Sequence, residues 1–155
     1  MSTPTADLYD RLGESIQSLP VRFSSFGGTD AFDGPIQTVR CFEDNVLLRR
    51  MLGTAGNGRV LVVDGAGSLN RALLGDNIAQ LAVDHDWSGL VINGTIRDRV
   101  AISRLPIGIK ALGTNPRKST KDGTGETEVV LDFGGVTFRP GAHLYSDEDG
   151  ILVER

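Results

Sequence analysis

The chain has a single cysteine, Cys41, in its 155 residues. No disulfide can form within it, and a nucleophilic role would need a histidine that nothing nearby supplies. Cys41 therefore reads as a small buried hydrophobe. Histidine is almost as scarce, with only His85 and His143. His85 lies between Asp84 and Asp86 at an expected helix end, where a cation is favoured, and both histidines stand apart from the segments that carry chemistry. An excess of positive charge is also missing. The net charge is −4 with both signs spread along the chain, so no basic face and no direct nucleic-acid partner are expected. No apolar run approaches the roughly 20 residues that span a bilayer. The start, MSTPTADLYD, has neither the basic flank nor the apolar core of a signal peptide, and a cytoplasmic location is expected.

Glycine is abundant, at 20 residues. The glycines keep no fixed period, which excludes a repeat array or a collagen-like chain. They cluster between short apolar runs, the pattern of many short strands joined by tight turns. With 39% apolar and 23% charged residues, the composition is that of a folded globular chain, expected to form one domain over 1–155.

Leu8, Leu12, Ile16 and Leu19 recur at helical spacing between Pro4 and Pro20, predicting a helix over 6–19. A strand is expected over 36–42, then a helix over 45–52 capped by Asp44 and followed by Gly53. The clearest unit comes next. Arg59-Val-Leu-Val-Val-Asp64 is a continuous apolar run, the mark of a strand covered on both faces, with the glycine loop 65–68 behind it. A helix over 78–84, a second buried strand over 87–93, a short helix after Asp98 and a third strand over 106–112 follow. Strand, helix, strand, helix, strand predicts an α/β fold with crossover helices around a central parallel or mixed sheet. The polar, basic stretch 113–125 reads as a long surface loop. Its Arg117, Lys118 and Lys121 suit a solvated face or a contact with a partner. Strands over 128–133, 136–139 and 151–153 make the carboxyl-terminal part β-rich.

Two segments carry the chemistry. Gly75-Asp76-Asn77-Ile78 opens a helix, and the unpaired N–H groups there bind anions, although Asp76 could serve simply as a cap. Arg97-Asp98 follows a buried strand. A guanidinium there can fork onto a carboxylate or an oxyanion, and the adjacent carboxylate can hold a hard cation; the plain alternative is a surface ion pair. Sites in open α/β sheets gather at the carboxyl ends of the strands, so both segments are expected to converge on one crevice. One anion-binding helix start, one arginine and two carboxylates meet the needs of metal-assisted enolate chemistry.

Asp64-Gly-Ala-Gly-Ser-Leu69, Leu74-Gly-Asp-Asn77, Gly94-Thr-Ile-Arg-Asp98, Ile107-Gly-Ile109 and Phe133-Gly-Gly-Val-Thr-Phe138 together resemble the RraA-like family, from about Thr5 to Val153. That family contains regulators of ribonuclease E activity and 4-hydroxy-4-methyl-2-oxoglutarate aldolases, and many members were once labelled menaquinone-biosynthesis methyltransferases. Asp76, twenty residues, then Arg97-Asp98 resembles the aldolase members; regulators tend to lack the acid that Asp98 retains here. The resemblance implies a swivelling β/β/α domain in a homotrimer or a dimer of trimers. It also implies a Mg²⁺- or Mn²⁺-dependent lyase acting on a small 2-oxo acid, with oxaloacetate decarboxylation through the same pyruvate enolate. Asp98 would hold the metal. Gly75, Asp76, Asn77, Ile78 and Arg97 would bind substrate, Arg97 would stabilise the enolate and Asp76 would orient a proton-relaying water. Longer aldolase members borrow an acid from a neighbour's carboxyl-terminal region. The acids at that end of this chain are Glu154 and the turn Asp147-Glu148-Asp149. A ribonuclease-binding regulator is the alternative. Methyl transfer is disfavoured, because Gly65-Ala-Gly67 lacks an acidic partner at the end of the next strand.

Overall fold

The computed structural model describes residues 3–155. Its first helix, α1 (Thr5–Leu12), is shorter than the helical spacing predicts. Gly13, at φ +55°, ends it by donating its N–H to Tyr9 O. After a single 3-10 turn the chain extends into β1 (Ile16–Ser18), which pairs antiparallel with β12 (Gly150–Glu154). Ile16 still packs against Leu8 and Leu152. Spacings of three and four residues across a helix and a short strand had imitated one longer helix.

The frame is a ten-stranded mixed sheet. At its centre β3 (Phe32–Arg40), β4 (Val60–Asp64), β6 (Gly89–Ile96) and β7 (Gly108–Thr114) lie parallel in that order. Helices α2 (Val46–Leu52), α3 (Asp76–Asp84) and α4 (Arg99–Ile102) make the crossovers. The short strand β5 (Ala72–Leu74), which carries no alternation long enough to predict, adds to β6. Both flanks are antiparallel. On one side β11 (His143–Asp147) joins β3 to β12 and β8 (Glu126–Thr127) pairs β3; on the other, β2 (Ser24–Ser25) pairs β7. Of the expected strand over 128–133 only β9 (Leu131–Phe133) forms, because Glu128 at φ +58° turns the chain just after β8. β9 forms a separate hairpin with β10 (Val136–Phe138).

Successive residues of a strand face opposite sides of its sheet, and the apolar run of β4 divides accordingly. Leu61 and Val63 pack beneath the helices with Leu48, Leu52, Ala79, Ala82 and Ile102. Val60 and Val62 pack on the other face with Leu131, Phe138, Leu144 and Val153. Leu90 and Ile92 of β6 join the first core and Val91 the second. The run is unbroken because both faces are covered, and the parallel strands deliver their carboxyl ends to one rim.

Candidate active site

β5 and β6 place the two predicted segments side by side. β5 leads through Gly75 into α3, and β6 leads through Arg97 into Asp98. The backbone joins them where the Arg97 N–H donates to Leu74 O at 2.9 Å. The side chain of Asp98 completes the junction, its Oδ2 accepting the Asp76 N–H at 3.0 Å. Asp76 is the first residue of α3 and Gly75 the residue before it, so the helix start is capped from a distant turn and not by Asp76 itself. The N–H groups of Asn77 and Ile78 also lie in the first turn, where no intrahelical carbonyl reaches them. Gly75 has an extended backbone, φ −123°, and is glycine for another reason. A Cβ there would lie 2.7 Å from Asp98 Oδ2.

Asp98 adopts the left-handed conformation, φ +59° and ψ +39°, which aspartate tolerates better than most residues. Both Arg97 and Asp98 are exposed. Asp98 Oδ1 and the Asp76 carboxylate accept no hydrogen bond among the described residues, and Arg97 Nη1 makes one long contact, 3.4 Å to Pro116 O.

Gly75, Asp76, Asn77, Ile78, Arg97 and Asp98 all line one cleft of about 180 Å³. The six residues expected to form a site are thus brought together. The opposite wall was missed. It consists of Asn45, the residue before α2, of Arg49 within that helix, and of Lys118, Ser119 and Lys121 from the loop expected to be a solvated face or a partner contact. Asp44 nails that loop down. Only 1% exposed, its carboxylate accepts from the Thr120 hydroxyl and the Asp122 and Gly123 N–H groups as well as from the Val46 N–H. Burial pushes the Asp44 pKa up, but those donors outweigh it and hold the carboxyl below its ordinary range. Asp44 therefore does more than cap α2; Asn45 takes the position next to the helix. Asn45, 6% exposed, donates to Leu73 O and accepts from Lys121 Nζ at 2.6 Å.

The other sequence candidates fall outside the cleft. His85 ends α3 with Nδ1 2.9 Å from Leu81 O, and His143 pairs with Asp33 at 2.6 Å. Glu154 accepts the His143 N–H, linking β12 to β11, and Asp147 accepts the Thr5 N–H and hydroxyl, tying β11 to the chain start. Cys41 is buried, and its thiol is pushed up to about 12 by burial and by Asp44 and Asp64. The glycine loop after β4 is closed on itself. Gly65 and Gly67 N–H donate to Asn93 O, and Asp64 accepts from Ala66 N–H and the Asn93 amide. It offers no free row of donors to a cofactor. Exposed hard oxygen donors at such a cleft suit a cation such as Mg²⁺, which keeps several waters and takes one or two carboxylates. Among the described residues no cluster of three or more His, Cys, Asp or Glu could hold a metal alone.

The RraA-like model (Aldolase/RraA) matches residues 5–153. The chain belongs to this family. Among solved structures, a protein of Geobacillus kaustophilus named an S-adenosylmethionine:2-dimethylmenaquinone methyltransferase is 50% identical. The alignment covers 98% of this chain and 94% of that one, with a TM-score of 0.96. The RNA-processing inhibitor RraA of Thermus thermophilus is 46% identical over 99% of this chain and 93% of that one, with a TM-score of 0.95. RraAS2 of Streptomyces coelicolor, an unusual member of the RNase ES inhibitor RraA family, is 26% identical over 97% and 79%, with a TM-score of 0.80. The mixed α/β architecture, a large mixed sheet with few helices, is the RraA fold. No helix among the described residues is long and apolar enough to cross a membrane.

Proposed function

We propose that this RraA-like chain is a divalent-metal-dependent carbon–carbon lyase that cleaves 4-hydroxy-4-methyl-2-oxoglutarate to pyruvate and decarboxylates oxaloacetate. The observation that carries the reading is the junction of Arg97 and Asp98 with the start of α3, where a guanidinium, two unsatisfied carboxylates and free helix N–H groups share one cleft. Asp98, through its free Oδ1, is the residue that would hold Mg²⁺ or Mn²⁺, partly through waters, with the Asp76 carboxylate beside it to orient a water. The cation supplies Lewis-acid polarisation of the 2-oxo acid.

This chain's residues then bind, orient and move protons. The N–H groups of Asn77 and Ile78, beside Gly75, receive the substrate carboxylate at the positive end of α3. In the retro-aldol step the C4 hydroxyl loses its proton and the C3–C4 bond breaks. The bond's electron pair passes to the enolate of one pyruvate, while C4 becomes the carbonyl of the other. Arg97 faces the negative charge that develops on the enolate oxygen, and Asp76 orients the water that returns a proton to C3. Oxaloacetate loses carbon dioxide to give the same enolate.

The direct experiment is pyruvate release from oxaloacetate with Mg²⁺ and with EDTA. Release that stops with EDTA and returns on adding Mg²⁺ is the expected result. No release above the spontaneous rate in either condition would favour a second reading, inhibition of a ribonuclease by protein contact. The inhibitor named among the relatives, at 46% identity, supports that reading. Assembly as a homotrimer or a dimer of trimers belongs to the same proposal. Light scattering giving 16.6 kDa, the mass of one chain, would overturn it.

A further inference from the structure

One buried charge has no part in the catalytic cleft. Alternation turns successive residues of β7 to opposite faces of the sheet. Ile109 and Ala111 pack under the helices, so Lys110 between them faces the second core, beside Val91 of β6. Lys110 is only 3% exposed. Its side chain makes one hydrogen bond among the described residues, Nζ donating to Asp147 O at 2.6 Å. An ammonium has three donors, and burying one with donors unused is costly. Burial holds the Lys110 pKa below its ordinary value, against the opposing pull of Asp147, Glu148 and Asp30. A buried strand position that an apolar residue would fill at less cost therefore carries a lysine with donors to spare.

Lys110 lines a cavity of about 560 Å³ between residues 19–24 and the turn from β11 to β12. The cavity is larger than the catalytic cleft and shares no residue with it. Leu19, Val21, Phe23 and Ile151 give it an apolar wall continuous with the second core. Its charges are balanced, Lys110 and Arg22 against Glu148 and Asp149. None of these four is in an ion pair; among the described residues the pairs are Arg40–Glu126, Arg71–Glu43 and His143–Asp33. Lys110 lies deep, whereas Glu148 and Asp149 are exposed. A simple anion at Lys110 would face two carboxylates, and a simple cation at the turn would face two positive groups. A small molecule that carries both charges and an apolar body meets all three surfaces at once.

We propose that this cavity is a binding site for an α-amino acid with an apolar side chain. Lys110 takes the α-carboxylate from within, keeping its bond to Asp147 O. Glu148 and Asp149 take the α-ammonium at the mouth, and the side chain lies against Leu19, Val21, Phe23 and Ile151. The site stands apart from the lyase reading, and neither depends on the other.

Calorimetric titration with three compounds of one carbon skeleton tests this. L-Leucine carries both charges, leucinamide lacks the carboxylate, and 4-methylpentanoate lacks the ammonium. Wild type should bind leucine about tenfold more tightly than either of the others, the worth of one charge-assisted hydrogen bond. Lys110→Met, which keeps the length of the stem, should bring leucine down to the affinity of leucinamide. The double variant Glu148→Gln/Asp149→Asn should bring leucine down to that of 4-methylpentanoate. The two acids are exposed, so the double variant decides the matter even if Lys110→Met fails to fold, which circular dichroism shows. No saturable binding of leucine to wild type, equal affinities for the three compounds, or an undiminished preference for leucine in the double variant would overturn the site. Pyruvate release from oxaloacetate is read separately and is untouched by any of these outcomes.

Discussion

Two aspartates on either side of the cleft have opposite surroundings. Asp44 is buried and accepts from Val46, Thr120, Asp122 and Gly123. Asp98 is exposed, accepts from Asp76 alone, and holds a left-handed backbone to do so. The saturated acid has no capacity left for a ligand and organises a wall. The unsaturated one keeps an oxygen free where a substrate can enter. Capacity left unused, more than the presence of charge, separates a candidate catalytic carboxylate from a structural one.

The sharpest way to break this comparison is Asp98→Asn. The amide oxygen can still accept the Asp76 N–H, and asparagine tolerates the left-handed backbone, so the fold should be kept. Metal-dependent pyruvate release should fall below detection. If Asp98→Asn retains full turnover, Asp98 is a cap and nothing more. Arg97→Ala should follow with a loss of about 10²–10³ in turnover, the usual effect of removing a preorganised donor. Arg97→Lys should recover little, because an ammonium lacks the planar fork. Equal steady-state rates in all three proteins would sink the mechanism.

On the saturated side the readout is stability. Asp44→Ala strands buried donors and should cost about 3 kcal/mol, lowering the thermal midpoint by roughly 10 °C. A shift under about 2 °C would show that the loop is held by other means. The smallest effect is in pH. The folded carboxyl of Asp44 titrates below its ordinary range, so its stabilisation is complete above that range and is lost as pH falls through it. Wild type should therefore lose stability below about pH 4 more steeply than Asp44→Asn. Asp147, depressed by its bonds to Thr5 against the opposing pull of burial, should leave part of the acid sensitivity in both. Parallel denaturation profiles would refute the contribution of Asp44.

What could be read from the sequence follows from how local each signal is. The runs 60–63 and 89–92 announce strands covered on both faces, and the structure covers both. Gly75-Asp76 and Arg97-Asp98 each follow a strand, and the parallel sheet brings them to one rim. Ile16 misled because it keeps helical spacing with Leu8 and Leu12 although Gly13 intervenes. β5 and β11 are too short or too mixed to declare themselves. The wall of Lys118, Ser119 and Lys121 was illegible for a deeper reason. Its anchor, Asp44, lies 76 to 79 residues earlier in the chain, and nothing in a polar loop says which distant acid will hold it.

The position of β3 has a consequence for how the chain reaches this state. One edge of β3 pairs with β4, about two dozen residues later. The other edge waits for residues 126–127 and 143–146. Until those emerge from the ribosome, a nascent chain with its parallel core assembled would carry an unpaired strand edge of the kind that templates aggregation. Such long-range pairings also slow folding. The carboxyl-terminal strands complete the sheet on that side, and a truncation before residue 143 should leave that edge of β3 exposed for association instead of yielding a smaller working domain.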